Sequence, residues 1–158
     1  MRAYLQSLYQ HVPVLEEGAR DAAVSFTLQE IGDVHVTWEN DGLREVAESK
    51  GKFEIVYPPV SILAEPYVAW VDAALTQAEK LEDAKAYLSF LFSDAAQETI
   101  ARLGYRPYRR DAARKAGINF APLTLVPITD IARDWNDANE IFFAENGVID
   151  TIIGQRRK

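Results

Sequence analysis

Two stretches of this chain concentrate groups that could do chemistry. One is Val14-Leu-Glu-Glu-Gly-Ala-Arg20, and the other is Gly32-Asp-Val-His-Val-Thr-Trp-Glu-Asn40. The first joins a small-residue turn to a helix start. The second sets a tryptophan about one strand-helix-strand unit later. Ala19 stands where a helix begins, so its free backbone N–H and the positive end of the helix dipole favour an anion. Trp38 carries an indole N–H that donates and cannot accept, on a rigid apolar body that excludes water. Donors that converge without an acceptor suit a fully ionised oxyanion. A tryptophan in a sheet core is the plain alternative for Trp38, since it alternates with Val34 and Val36.

The elements that must hold these groups follow from periodicity. Apolar residues at Tyr4, Leu5, Leu8 and Tyr9 predict a helix over 2–10. A short strand over 12–15 opens with Pro13 near its edge, and Gly18 turns the chain. A helix is expected over 19–31, ended by Gly32. The alternation of Val34, Val36 and Trp38 predicts a half-buried strand over 33–39. A charged helix over 41–50 and a strand through Phe53, Ile55 and Tyr57 come next, stopped by Pro58-Pro59. A connector over 61–66 and a strand over 67–71 complete an α/β rhythm.

Beyond that point helices dominate. They are expected over 77–92, from an Asp94 cap with Gln97 to Leu103, over 111–116, from Thr129 or Asp130 to Phe143, and over 148–153. Residues 120–127 read as extended, and 155–158 as a basic tail.

Composition narrows the function classes. The chain has 158 residues, 48% hydrophobic and 26% charged, which is globular composition. A net charge of -7 argues against nucleic acid as a partner. It does not argue against a small anion, because local dipoles act at contact distance. There is no cysteine, so disulfides and thiol catalysis are out. No apolar run reaches membrane-spanning length. The first ten residues are amphipathic and do not read as a secretory signal. No nucleophile-base pair, nucleotide loop or histidine pair stands out, so an enzyme is not expected and no cofactor is implied. His11 and His35 are too isolated for a metal site. Asp130, Asp134, Asp137 and Glu140 read as a solvated acidic helix face.

Several blocks together resemble the C-terminal half of the sulfate/thiosulfate-binding proteins of ABC importers. They are Val14-Leu15 with Gly18-Ala-Arg20, Ile31-Gly-Asp-Val34 with Trp38-Glu-Asn40, and Phe53-Glu-Ile-Val-Tyr-Pro-Pro-Val-Ser-Ile62. Ala64-Glu-Pro66, Ala86-Tyr-Leu-Ser-Phe-Leu91, Tyr105-Arg-Pro107 and Phe143-Ala144 with Gly147 and Ile149-Asp150 continue the match in order. The resemblance implies an α/β chain that is half of a type II periplasmic binding fold: a partial α/β lobe followed by a mostly helical C-terminal part. Residues 1–62 would be the closing part of the anion-binding lobe, and 63–158 the hinge return and the C-terminal part of the first lobe. Ala19 and Trp38 would then be ligand-binding residues for sulfate or a related oxyanion, with no catalytic residue. Arg20 would tie backbone groups together behind them. The implied partners are the importer's membrane subunits, and the implied location is the periplasm. The family's N-terminal half, with its export signal and Ser-Gly-Gly segment, has no counterpart in this sequence.

Asp21 departs from the pattern, which has glycine there. A carboxylate within one turn of a dianion is repulsive by ~1–4 kcal/mol. It either serves the helix dipole or adds an acceptor that suits a protonated oxyanion such as hydrogen phosphate. A different class of function also stays open. A half-fold exposes sheet edges and apolar surface, and a homodimer or the missing N-terminal half would cover them, making the chain a self-associating or docking module.

Overall fold

The computed structural model describes residues 2–74 and 78–156. The expected helix start at Gln77 and the end of the basic tail, Arg157 and Lys158, lie outside them. The chain forms eight α-helices and one parallel strand pair among these residues, an α/β arrangement in which helix predominates. The helices are α1 Arg2–Gln10, α2 Ala19–Thr27, α3 Glu39–Glu48, α4 Ala78–Leu91, α5 Asp94–Arg102, α6 Ala112–Lys115, α7 Trp135–Phe142 and α8 Val148–Arg156. Strand β1, Val60–Ile62, pairs with β2, Thr124–Val126, in the register Val60 to Thr124, Ser61 to Leu125 and Ile62 to Val126. No helix among the described residues is long and apolar enough to cross a membrane.

The residues separate into two compact units. The first comprises Met1–Thr37, Pro58–Ala64 and Leu123–Lys158, and the second Trp38–Tyr57 and Glu65–Pro122. In the first, the β1–β2 ladder joins distant segments, and α8 lies beside α1 and α7. In the second, α5 lies beside α4 and α6. Buried Gln97 spends its whole amide there. It donates to Leu91 C=O at 2.7 Å and accepts from Arg109 N–H at 3.1 Å. Both ends of a buried amide are thus satisfied, which is what makes its burial tolerable.

Four expected strands do not form. Residues 12–15, 33–38, 53–57 and 67–71 belong to no β-ladder among the described residues. Val34 is 80% exposed and Val36 88% exposed, so the alternation that predicted a half-buried strand faces solvent. A strand is defined by its neighbour as much as by its own residues, and these segments have none here. Conversely, β1, Val60–Ile62, runs into the expected connector over 61–66. Its partner is some sixty residues away, beyond the reach of a local pattern.

Helix boundaries shift for identifiable reasons. α2 stops at Thr27 rather than Ile31, with Thr27 Oγ1 donating to Ala23 C=O at 2.7 Å and Glu30 in the left-handed region at φ 57°. α3 begins at Glu39, two residues early, with Trp38 at the N-cap and no side chain capping that end. α5 is capped by Ser93, whose hydroxyl accepts from Ala96 N–H at 3.3 Å, one residue before the expected Asp94. Around the expected Thr129 or Asp130 cap the chain makes only a 3-10 turn, Ile128–Asp130. α7 waits for Asp134, whose carboxylate accepts from Asp137 N–H at 2.8 Å. Asp137 in turn accepts from Arg133 N–H at 2.9 Å, so the start is braced from both sides.

Candidate functional site

Ala19 is the first residue of α2, and Gly18 before it is the N-cap, extended at φ −151° and ψ 158°. Glycine offers no side-chain oxygen, and no side chain caps this end. The first helical bond is Ala22 N–H to Gly18 C=O at 3.1 Å, so the N–H groups of residues 19–21 have no acceptor within the helix. Gly18, Ala19, Arg20 and Asp21 are all exposed. These residues make an open, uncapped helix start of nine residues, with donors and dipole directed at solvent.

Asp21 lies close to this end. A Cβ placed on Gly18 would stand 4.0 Å from Asp21 Oδ2, so the carboxylate folds back over the first turn. A negative charge there complements the helix dipole and competes with a dianion for the same donors. The Arg20 guanidinium is exposed and pairs with no described residue.

Trp38 sits differently from expectation. It is the N-cap residue of α3, at φ −69° and ψ 147°, and 55% exposed. The sheet-core alternative for this residue is therefore overturned. Its carbonyl accepts from Gly42 N–H at 2.9 Å and so closes the first turn of α3. Ala19 and Arg20 belong to the first unit, and Trp38 is the first residue of the second.

The most built polar cluster of the second unit lies one residue beyond Trp38. Arg106 Nε donates to Glu39 Oε2 at 2.5 Å, and a terminal N–H donates to Oε1 at 2.9 Å. This is the two-pronged geometry a guanidinium makes with a carboxylate. The same terminal nitrogen donates to Ala121 C=O at 2.7 Å, and the guanidinium lies 5.2 Å from the centre of the Phe120 ring. The Tyr57 hydroxyl lies within electrostatic reach of both Glu39 and Arg106. Both partners of the pair are mostly covered, at 30% and 19% side-chain exposure.

Electrostatics follow the geometry. The hydrogen bond to Glu39 raises the Arg106 pKa, against a smaller opposing effect of burial. Burial first, then the Glu39 charge, pushes the Tyr57 hydroxyl above the ordinary tyrosine value, with Arg106 opposing. A folded-state pKa above the unfolded one contributes stability below the unfolded value and loses it as pH rises through the folded value. The phenolate absorbance difference between the protein and Tyr57→Phe is therefore expected to place this ionisation above pH ~10. A midpoint at or below that value would show that burial and Glu39 together do not outweigh Arg106 at Tyr57.

In the sequence, Glu39-Asn40 and Tyr105-Arg-Pro107 serve only as marks of resemblance, and Tyr57 reads as the end of an expected strand. A carboxylate and an arginine 67 positions apart carry no local signal of pairing. Arg106 also lines an open cavity of about 310 Å³ with Pro107, Arg110, Arg114, Ile118 and Phe120. Elsewhere, Asp137 accepts from Arg133 at 3.0 Å and Asp134 caps α7, so that acidic run serves its own helix and neighbouring arginine.

Residues 3–106 match the family model for bacterial extracellular solute-binding proteins. The chain is 40% identical over 150 residues to a sulfate-binding protein of Escherichia coli and 39% identical to one of Salmonella typhimurium. Each of these matches covers 94% of this chain and 46% of the relative. A thiosulfate-binding protein of Pseudomonas aeruginosa is 35% identical over 152 residues, 96% of this chain and 46% of its own length. The chain thus spans about half the length of the curated relatives it matches, which are named for binding rather than for catalysis. With its match running from α1 through Arg106, the chain belongs to the bacterial extracellular solute-binding protein family.

Proposed function

We propose that this chain contributes to the binding site of an ABC importer's solute-binding protein for sulfate or a related tetrahedral oxyanion. The observation that carries this reading is the uncapped, exposed start of α2 at Ala19. Such an end offers several N–H groups and a positive dipole to an anion, and needs no cation. The exposed Trp38 indole is the second proposed donor. Arg20, one residue beyond Ala19, is proposed to steady the backbone groups rather than to pair with the ligand. The names of the relatives supply the ligand class.

In this reading the fold is the C-terminal half of a type II periplasmic binding protein. Residues 1–62 are the closing part of the anion-binding lobe, and 63–158 are the hinge return and the C-terminal part of the first lobe. The rest of the length present in the relatives supplies further donors and covers Val34, Val36 and Val56, which are largely exposed here. The partners are the oxyanion and the importer's membrane subunits, and the site of action is the periplasm.

Asp21 sets the choice among oxyanions. Its carboxylate at the α2 start penalises a fully ionised ligand and can accept from a protonated one. Titration calorimetry of this chain with sulfate, thiosulfate, molybdate and phosphate tests the proposal. Saturating heat with at least one of them is expected. Silence with all four at millimolar concentration would defeat oxyanion binding by this chain.

A further inference from the structure

A carboxylate beside Trp38 is a liability for an anion site. Glu39 is the next residue, and its charge would repel a dianion brought to the indole. The structure answers that charge in place. Both Glu39 oxygens accept from the Arg106 guanidinium, at 2.5 and 2.9 Å. Arg106 is itself held by Ala121 C=O at 2.7 Å and by the Phe120 ring. Two fixed charges so close present nearly no net charge a few ångströms away.

The same segment braces the turn mechanically. Gly104, at φ +84°, approaches so closely that an added Cβ would stand 3.3 Å from Asn40 Cα and 3.4 Å from Leu43 Cδ1. Residues 104–106 therefore grip the first turn of α3 at Glu39, Asn40 and Leu43. Trp38, as the N-cap, takes its backbone direction from that turn. No side-chain cap holds this helix end otherwise.

We propose that Arg106 is the positioning residue for Trp38. By pairing with Glu39 it fixes the start of α3 and cancels the carboxylate that would drive an anion away from the indole. The inference rests on the oxyanion reading of Trp38, and it makes Arg106 a determinant of anion affinity that touches no ligand.

Iodide quenching tests it without a bound ligand. Trp70→Phe and Trp135→Phe leave Trp38 as the single tryptophan of three. Iodide then reports the charge seen at the indole, and neutral acrylamide reports its exposure, at fixed ionic strength. Arg106→Gln uncovers the Glu39 charge and is expected to lower the iodide-to-acrylamide ratio about twofold. Glu39→Gln uncovers Arg106 and should raise the ratio by about the same factor. The double variant should return it to the parent value. Opposite signs are the signature of charge compensation, whereas a merely structural pair would shift both single variants the same way. Equal ratios in all four proteins, or same-direction shifts, would overturn the proposal. Sulfate calorimetry of the parent decides the oxyanion reading separately. A silent parent with the expected iodide pattern defeats that reading and leaves the charge balance at Trp38 standing.

Discussion

Trp38→Phe is expected to weaken oxyanion binding by about 10- to 100-fold while leaving the fold intact. Phenylalanine keeps an aromatic ring and removes the N–H. A hydrogen bond to a charged group contributes about 1.5–3 kcal/mol, which sets the size of the loss. The side chain is 55% exposed and caps nothing, so its change should move stability by no more than ~0.5 kcal/mol. Calorimetric affinity and thermal melting measured on the same two proteins separate these effects. An affinity equal to that of the parent would remove the indole from the site. A large drop in melting temperature would mean that the ring holds the start of α3.

The second large effect concerns stability. Gly147→Ala is expected to cost about 2–3 kcal/mol. Gly147 is buried where the chain turns from α7 into α8. A Cβ there would stand 2.8 Å from the Ala144 carbonyl oxygen and 3.0 Å from the Phe142 carbonyl carbon and oxygen. These are backbone atoms and cannot swing aside. The turn is fixed on both sides. Gly147 N–H donates to Ala144 C=O at 2.8 Å, and Gly147 C=O accepts from Thr151 N–H at 3.0 Å. Asn146 before it already sits in the left-handed region at φ 63°. Gly154→Ala is the control, because nothing lies within 4 Å of its added Cβ and it stands inside α8. That change should stabilise by ~0.5–1 kcal/mol. Urea midpoints at unchanged slope report both values. A Gly147→Ala midpoint equal to the parent's would show that the turn relaxes without strain.

The helices were largely legible in the residues, and the sheet was not. Tyr4, Leu5, Leu8 and Tyr9 mark α1 because residues three and four apart share one helix face, although none of the four is buried here. The α2 start at Ala19 was equally visible, since a glycine followed by alternating small and apolar residues is a local signal. Pairing is a different matter. Val34, Val36 and Val56 carry strand chemistry, yet whether they form a strand depends on a neighbour that no window of residues contains. For the same reason the residues of β1 read locally as a connector. Ala19 and Trp38 are proposed as donors from residue type together with the family resemblance. Glu39 and Arg106 could not be paired, because their contact is made by the fold and not by the sequence around either one.

The strand pair also orders events in time. Val60–Ile62 emerges from the ribosome long before Thr124–Val126 exists, and its partner in the described ladder is that later segment. The first unit draws on residues from both ends of the chain, so its nascent portion must persist unfinished while the intervening stretch is made. Long-range closure of this kind slows maturation and leaves a bare strand exposed to wrong partners in the interval.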